Sequence, residues 1–186
     1  MNFLAHAWLA RGGNDAFLYG NLIADGVKGD PDGDWAADIA RGIRHHRRVD
    51  AWVDDHAVIR GVRERAPRPQ RRVVGIALDL VWDHFVARDH ADAALIARCY
   101  QVLQAQGRAP NRLAPMIPAL VEDDWLSRYA DFDFTCQAIA GLGRRLSGPN
   151  RLAELVPWLR TDYPALEHDF HVLWPALNQA LSADGR

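Results

Sequence analysis

Two aspartates, Asp79 and Asp83, lie four residues apart in residues 73–86, an otherwise almost wholly apolar segment. On a helix this spacing brings both side chains to one face, about 6 Å apart. Carboxylates packed this closely repel each other and are costly to remove from water, unless a divalent cation or arginines neutralise them. The pair therefore predicts a metal site, with neutralisation by Arg72 or another arginine as the purely structural alternative.

A second pair with the same spacing, His46 and Asp50, is predicted to share one face of a long helix. An imidazole and a carboxylate there can both bind a metal, or the carboxylate can orient the imidazole. Arg47 and Arg48 lie between them, and guanidinium groups neutralise charge on phosphoryl oxygens. This combination favours metal-dependent hydrolysis of a phosphate ester, although a solvated helix with ordinary ion pairs explains the segment equally well.

Three further side chains are candidates with simpler alternatives. His6 lies among apolar residues, where a lone histidine is more often a hydrogen-bonded core residue. Asp25 follows Gly20 and Asn21, a place where small residues allow close backbone approach, and it can equally cap a helix or end a loop. His84 is a ligand, a proton donor or a packed core group.

Composition excludes several classes of protein. The 186 residues suit one domain, and a net charge of −2 gives no reason to expect nucleic-acid or membrane binding. Only Cys99 and Cys136 are present, without metal-type spacing, so we expect buried, reduced thiols in a cytoplasmic protein. The sequence contains neither a glycine-rich phosphate loop nor a GxSxG motif, which argues against P-loop enzymes and serine hydrolases.

Helical periodicity dominates the chain and predicts the elements that must position these groups. We expect an all-α, single-domain bundle over residues 1–186 with seven to nine helices. Turn-rich loops are predicted at 28–34 and 107–111. The predicted helices cover about 2–11, 15–27, 35–65, 70–88, 91–106, 112–125, 127–146, 150–160 and 162–182. A C-terminal cluster of Glu167, His168 and His171 is predicted to be helix surface.

Several short motifs occur along the chain: MNFLAH at residues 1–6, GNLIAD at 20–25, HRRVD at 46–50 and LDLVWDHF at 78–85. WLSRY at 125–129 and DFDF at 131–134 follow later. In their sequence and order these motifs resemble the acyl carrier protein phosphodiesterase family, and the resemblance runs from Met1 to about Pro175. One departure is Arg44, which stands where a second histidine of an H-x-H pattern is expected.

The resemblance implies an all-helical, atypical relative of the HD metal-dependent phosphohydrolases that uses manganese or a similar divalent ion. The implied reaction releases the 4'-phosphopantetheine arm from a serine of holo acyl carrier protein and leaves the apo form. The family's motif positions fall on His6, Asp25, His46, Arg47, Arg48, Asp50, Asp79, Asp83 and His84.

From these residues we assign roles as a hypothesis. The metal ligands are His6, Asp25, Asp79 and Asp83, joined by His46. The metal is Mn²⁺, with Mg²⁺ and Fe²⁺ as alternatives, since oxygen-rich ligation with one or two imidazoles suits such ions. The remaining catalytic groups are Asp50 to orient His46 or act as base, Arg47 and Arg48 to bind the phosphodiester, and His84 to protonate the leaving group.

An acidic acyl carrier protein needs a basic surface for docking. We predict that surface to be Arg63, Arg65, Arg68, Arg71 and Arg72, with an ordinary solvated charge run as the alternative. Two other functions are also consistent with the sequence. One is a helical metal phosphohydrolase for a nucleotide or another small phosphodiester, and the other is a non-catalytic helical binding module.

Overall fold

The computed structural model describes residues 2–105, 109–146 and 150–183, and these residues form mainly α-helices. The α-helices of these ranges are α1 (Phe3–Ala10), α2 (Asp15–Ile23), α3 (Ala37–Asp55), α4 (Ala57–Arg65), α5 (Val74–Asp89), α6 (Ala93–Ala105), α7 (Ile117–Glu122), α8 (Trp125–Arg128), α9 (Phe132–Arg145), α10 (Val156–Thr161) and α11 (Tyr163–Ala183). Short 3-10 helices cover Ala24–Gly26, Arg68–Gln70 and Ala153–Leu155. The predicted all-α class is confirmed.

The eleven α-helices of the described ranges exceed the seven to nine expected, because two predicted helices are divided. The helix predicted over 35–65 ends as α3 and restarts as α4 at His56, whose backbone is extended (φ −71°, ψ 144°). The His56 ring accepts a hydrogen bond from the Val58 N–H and so caps α4. The helix predicted over 127–146 is likewise divided into α8 and α9. The loop predicted at 107–111 lies partly outside the described residues.

Helix α5 lies at the centre of the core. Trp82 and Phe85 of this helix are fully buried, and their ring centroids lie 6.1 and 5.2 Å from that of Phe170 in α11. Helices α1, α9 and α11 pack on α5. Asp83 of α5 is therefore enclosed by neighbouring helices, whereas Asp79, one turn earlier, is partly buried.

Helices α2 and α3 cross at unusually short range because glycines meet at the crossing. A Cβ at Gly20 would lie 2.1 Å from the Ile39 main-chain oxygen, and one at Gly42 would lie 2.2 Å from that of Phe17. Any larger residue would push the two backbones apart. The close approach expected at Gly20 is thus present, and it brings the end of α2 within hydrogen-bond reach of α3.

Both cysteines are free and buried, as predicted for Cys99 and Cys136. His168 and His171 are exposed on α11, which agrees with the expected helix surface. Within the described ranges, no helix combines the length and the apolar composition needed to cross a membrane.

Candidate metal centre and its two pockets

The site is built around His46 of α3, which is only 3% exposed. Its Nδ1–H donates to the main-chain oxygen of Asn21 at 2.8 Å, so that Nε2 faces the acidic groups. Nε2 lies 3.1 Å from Asp50 Oδ2, one helical turn further along α3. It also lies 3.2 Å from Oδ1 of Asp25, which the 3-10 turn after α2 carries. The structure therefore brings these three predicted residues together.

His6 of α1 completes the cluster. It is fully buried, and its Nε2 lies 3.0 Å from Asp50 Oδ1. The His6 and His46 rings stack with centroids 3.5 Å apart and planes 15° apart. Each carboxylate oxygen of Asp50 is thus paired with the Nε2 atom of one histidine. His6 Nδ1 is buried without a hydrogen-bond partner among the described residues.

The electrostatics of the cluster follow from burial and from these hydrogen bonds. Burial lowers the pKa of His6 to about 3, and the charge of His46 adds to the effect. Burial also disfavours charge on His46, but its hydrogen bonds to Asp25 and Asp50 raise its pKa to about 9. Burial disfavours the charge on both carboxyls, but the hydrogen bonds from His46 hold the pKa of each below its usual value. At neutral pH the cluster therefore holds a neutral His6, a protonated His46 and two carboxylates.

This donor set fits a divalent metal ion. One ligand atom each from His6, His46 and Asp50 lie within 4.8 Å of one another. Neighbouring ligands of one ion at about 2.1 Å lie about 3 Å apart, close to the separations in this cluster. The hydrogen bond from His46 Nδ1–H to Asn21 fixes the orientation of the ring and leaves Nε2 available to bind a metal. An ion can therefore replace the Nε2 proton that the two carboxylates share.

Asp79 of α5 borders the cluster. It is partly buried, and it lines one pocket together with Asp50 and a second pocket together with Asp25. Burial raises its pKa to about 6, and the negative charges of Asp50 and Asp25 act in the same direction. Asp79 therefore lies where the two pockets meet, with a carboxyl group that titrates near neutral pH.

Asp83 has a different place from the one predicted. It is fully buried, and its two oxygens accept the N–H groups of Leu4 and Ala5 at 2.9 Å each. These are among the N–H groups that the first turn of α1 leaves without partners, and the Asn2 side chain does not cap them. Burial raises the pKa of Asp83 to about 7 against the effect of these bonds. The structure makes Asp83 the anchor of α1, which carries His6, rather than a metal ligand.

His84 is also engaged elsewhere. Its Nδ1–H donates to the main-chain oxygen of Tyr129, and its Nε2 accepts from the Tyr163 hydroxyl, both at 2.8 Å. Its ring lies 5.0 Å from that of Phe132. Both nitrogens are thus used inside the core, and the predicted role of His84 as a proton donor has no support in this geometry.

The two arginines of the HRRVD string do not converge on the cluster. Arg47 donates to the main-chain oxygens of Val27 and Gly29 at 2.8 and 2.7 Å, which holds the loop that follows Asp25. Arg48 is exposed and lines a separate depression with Trp52 and His56. The structure therefore assigns Arg47 to positioning and leaves Arg48 away from the ligands, in contrast to the predicted binding of phosphate by both.

Arginines from a different part of the chain lie beside the cluster. A pocket of about 520 Å³, which we call the arginine pocket, adjoins Asp50 and Asp79. Its remaining lining residues are Val53, Asp54, Arg63, Arg71, Arg72, Gly75 and Ile76. Three of the five arginines predicted to dock a carrier protein thus line the pocket next to the candidate metal.

The five predicted docking arginines have unequal freedom. Arg65 is tied to Asp162 and Asp169 at 3.1 and 2.5 Å. Arg71 donates to the main-chain oxygens of Ala66 and Glu64, and Arg63 pairs with Asp54 at 3.2 Å. Arg68 and Arg72 are exposed and make no side-chain hydrogen bond or ion pair with the described residues. They are the two most available for an external anion.

Asn21 holds the candidate site in place, although the sequence did not single it out. It is fully buried, its main-chain oxygen holds His46, and its side-chain oxygen accepts from His45 Nδ1 at 2.9 Å. Burial lowers the pKa of His45 to about 4. The available signal was an amide residue directly after Gly20 in an apolar run, where a buried polar group needs partners.

Comparisons with known proteins agree on one family. The family model described as acyl carrier protein phosphodiesterase matches residues 1–177. A protein named acyl carrier protein phosphodiesterase from Klebsiella pneumoniae (strain 342) is 35% identical over 185 residues, 95% of each chain. One of the same name from Yersinia enterocolitica is 35% identical over 95% of each chain, and one from Photorhabdus laumondii is 36% identical over 78% of this chain and 77% of its own. No solved structure matches the chain significantly.

Proposed function

The chain belongs to the acyl carrier protein phosphodiesterase family, and from that premise we propose that it hydrolyses the phosphodiester between 4'-phosphopantetheine and the serine of holo acyl carrier protein. The products are apo acyl carrier protein and free 4'-phosphopantetheine. We place the reaction in the cytoplasm, as the sequence predicts.

One juxtaposition supports this proposal above all. The cluster of His6, His46 and Asp50, which can hold a metal, shares Asp50 with the arginine pocket. A phosphodiester carries negative charge on its non-bridging oxygens, and this charge shifts as water attacks. Cation-binding groups beside guanidinium groups are the arrangement that stabilises such charge.

The residues of the cluster divide into holding and orienting groups. We assign His6, His46 and Asp50 as metal ligands with Asp25 as a further carboxylate, and Mn²⁺ as the ion, with Mg²⁺ and Fe²⁺ as alternatives. When bound, such an ion supplies Lewis acidity at the phosphoryl group and lowers the pKa of water. Asp50 and the Asn21 main-chain oxygen keep the rings of both histidines in place.

The arginine pocket would bind the phosphodiester. Arg72 is exposed there, and Arg63 approaches from α4, so both can donate to phosphoryl oxygens. Asp79 borders the same pocket, and a carboxyl group with a pKa of about 6 can transfer a proton near neutral pH. We assign to Asp79, rather than to His84, the proton that the departing serine oxygen needs.

The carrier protein would dock beside this pocket. Acyl carrier proteins are generally acidic, and opposite charge accelerates the encounter of two proteins. Arg68 and Arg72 are exposed and unengaged with the described residues, so they are the proposed docking residues. Arg65 is assigned instead to the link between α4 and α11.

The test is the mass of the carrier protein after incubation. Holo acyl carrier protein is incubated with the purified enzyme and MnCl₂, and intact mass spectrometry follows the loss of the 4'-phosphopantetheinyl group. Asp50→Asn should abolish the loss, and a chelator should do the same to the wild type. Asp55→Asn is the matched control, because Asp55 ends the same helix with a side chain that is 96% exposed.

Each outcome separates the candidate functions. Unchanged carrier mass with wild-type enzyme and Mn²⁺ would refute the proposal. Hydrolysis of bis(p-nitrophenyl) phosphate without loss of the carrier's arm would favour a hydrolase of small phosphodiesters. Absence of both activities, together with no Mn²⁺ binding by calorimetry, would favour a binding module.

A further inference from the structure

Two pockets meet at Asp79, and the proposed binding of the phosphodiester uses only the arginine pocket. The second pocket, which we call the apolar pocket, has a volume of about 740 Å³ and also borders Asp25. Ile76 and Asp79 line both pockets, so the two cavities extend from the candidate metal centre on either side of these residues. The walls of the apolar pocket include Phe3, Leu80, Leu113, Trp125, Phe134 and Leu142.

We propose that the apolar pocket is the subsite for the pantetheine part of the substrate, an inference that rests on the proposed function. A phosphodiester at the metal centre has two substituents, which leave the phosphorus in different directions. One is the serine of a folded protein, which is too large to enter either pocket. The other is a slender chain, and it requires a cavity that begins beside the reacting phosphoryl group. The apolar pocket begins there, at Asp25 and Asp79.

The chemistry of the walls matches that of the arm. Pantetheine combines a dimethyl-substituted carbon and methylene groups with two amides and a terminal thiol. Ligand pockets of about 300–1,000 Å³ with apolar walls and a few polar groups suit such a molecule. Asn2 and Gln137 supply amide groups to the lining, while Arg128, Arg144 and Arg145 are exposed around it. The arginine pocket, which has three guanidinium groups and few apolar walls, suits phosphate but not the arm.

Gly141 of α9 offers a way to block the pocket without touching the metal centre. It lines the apolar pocket, and a Cβ there would meet only Arg144 Nη2, at 3.7 Å. Gly141→Leu therefore adds a side chain at the wall of the cavity, and leucine favours a helix more than glycine does. Gly61→Leu is the matched control, because Gly61 lies in α4 outside both pockets and a Cβ there would meet only Arg65 Nη1, at 4.0 Å.

The experiment measures binding and turnover separately. With MnCl₂ present, 4'-phosphopantetheine is titrated into each protein by calorimetry. We expect at least tenfold weaker binding by Gly141→Leu than by the wild type or Gly61→Leu, and unchanged binding of inorganic phosphate. The kcat/KM for holo acyl carrier protein should fall by a similar factor in Gly141→Leu alone, whereas hydrolysis of bis(p-nitrophenyl) phosphate should not change.

The outcomes separate this inference from the proposed function. Equal binding of 4'-phosphopantetheine by Gly141→Leu and Gly61→Leu overturns the assignment of the pocket, whatever the enzyme does with the carrier protein. A wild-type enzyme that leaves holo carrier protein intact refutes the proposed function instead. Ala138→Phe, a second change at the wall of the same pocket, replaces Gly141→Leu if thermal unfolding shows that the leucine variant does not fold.

Discussion

Replacing Asp83 by asparagine should weaken the fold and leave the metal centre intact. The carboxylate is fully buried, and its oxygens accept the N–H groups of Leu4 and Ala5. Asparagine has one side-chain oxygen, so one of these N–H groups loses its acceptor. The new NH₂ group would also face a backbone donor instead of an acceptor.

The size of the effect follows from that lost bond. A buried N–H without a partner costs about 1–3 kcal/mol, and bonds to a charged acceptor lie at the upper end of the range. The pKa of about 7 shows that burial already disfavours this charge, and asparagine removes that cost. We therefore expect the free energy of unfolding to fall by about 2 kcal/mol, which for a chain of this length lowers Tm by about 4–8 °C.

The assay compares Asp83→Asn with Asp79→Asn, the same substitution one helical turn earlier. Calorimetry gives Tm for each variant, and titration with MnCl₂ gives the metal affinity. Asp83→Asn should unfold at the lower temperature and bind Mn²⁺ like the wild type. Asp79→Asn should keep Tm within about 2 °C and lose at least about 100-fold in hydrolysis of holo carrier protein. An Asp83→Asn protein with wild-type Tm and weakened Mn²⁺ binding would show that Asp83 binds the metal instead of anchoring α1.

Three further predictions concern docking, helix packing and pH. Arg68→Glu should raise KM for the carrier protein about tenfold at low salt without changing hydrolysis of a small diester, because opposite charge steers the encounter; an unchanged KM would exclude this surface. Gly42→Ala should lower stability by about 1–3 kcal/mol and weaken Mn²⁺ binding, because its Cβ would lie 2.2 Å from the Phe17 oxygen and displace α2 from His46; wild-type Tm and affinity would contradict this. Burial lowers the pKa of His84 below its ordinary value of 6.5. The unfolded chain therefore binds a proton at His84 more readily than the folded chain does. The free energy of unfolding is then highest above pH 6.5 and falls as the pH drops below it. Urea unfolding at pH 7.5 and 5.5 measures this effect. Between these two pH values the free energy of unfolding should fall more for the wild type than for His84→Gln. Equal decreases in the two proteins would show that His84 is not the cause.

The helical class and the pairing within single helices were predictable because they depend on near neighbours. The long apolar run over residues 73–86 marked α5, and the spacing of four residues placed His46 and Asp50 on one face of α3. The close approach at Gly20 was also predictable, since only a residue without a side chain permits it. The break at His56 was missed because a single extended residue hardly alters the periodicity on either side.

The partners of the α5 carboxylates were not predictable from spacing. A buried acidic residue needs positive charge or hydrogen-bond donors, and the sequence suggested a cation or an arginine. For Asp83 the structure provides the first turn of α1, almost eighty residues away in the chain. Every residue except proline has a backbone N–H group. No residue type in the sequence therefore indicates which N–H groups will bind a buried carboxylate.

The helical class, the family motifs and the stock of acids, imidazoles and guanidinium groups can be read from the sequence, because they are properties of residue type and short-range spacing. Which of these groups meet depends on the packing of the helices. Packing of α1 and α2 against α3 brings His6 and Asp25 to His46 and Asp50. The path of the chain after α4 takes Arg72, rather than Arg48, to the pocket beside Asp50. Such meetings depend on how helices cross, and crossing geometry is set by the whole core.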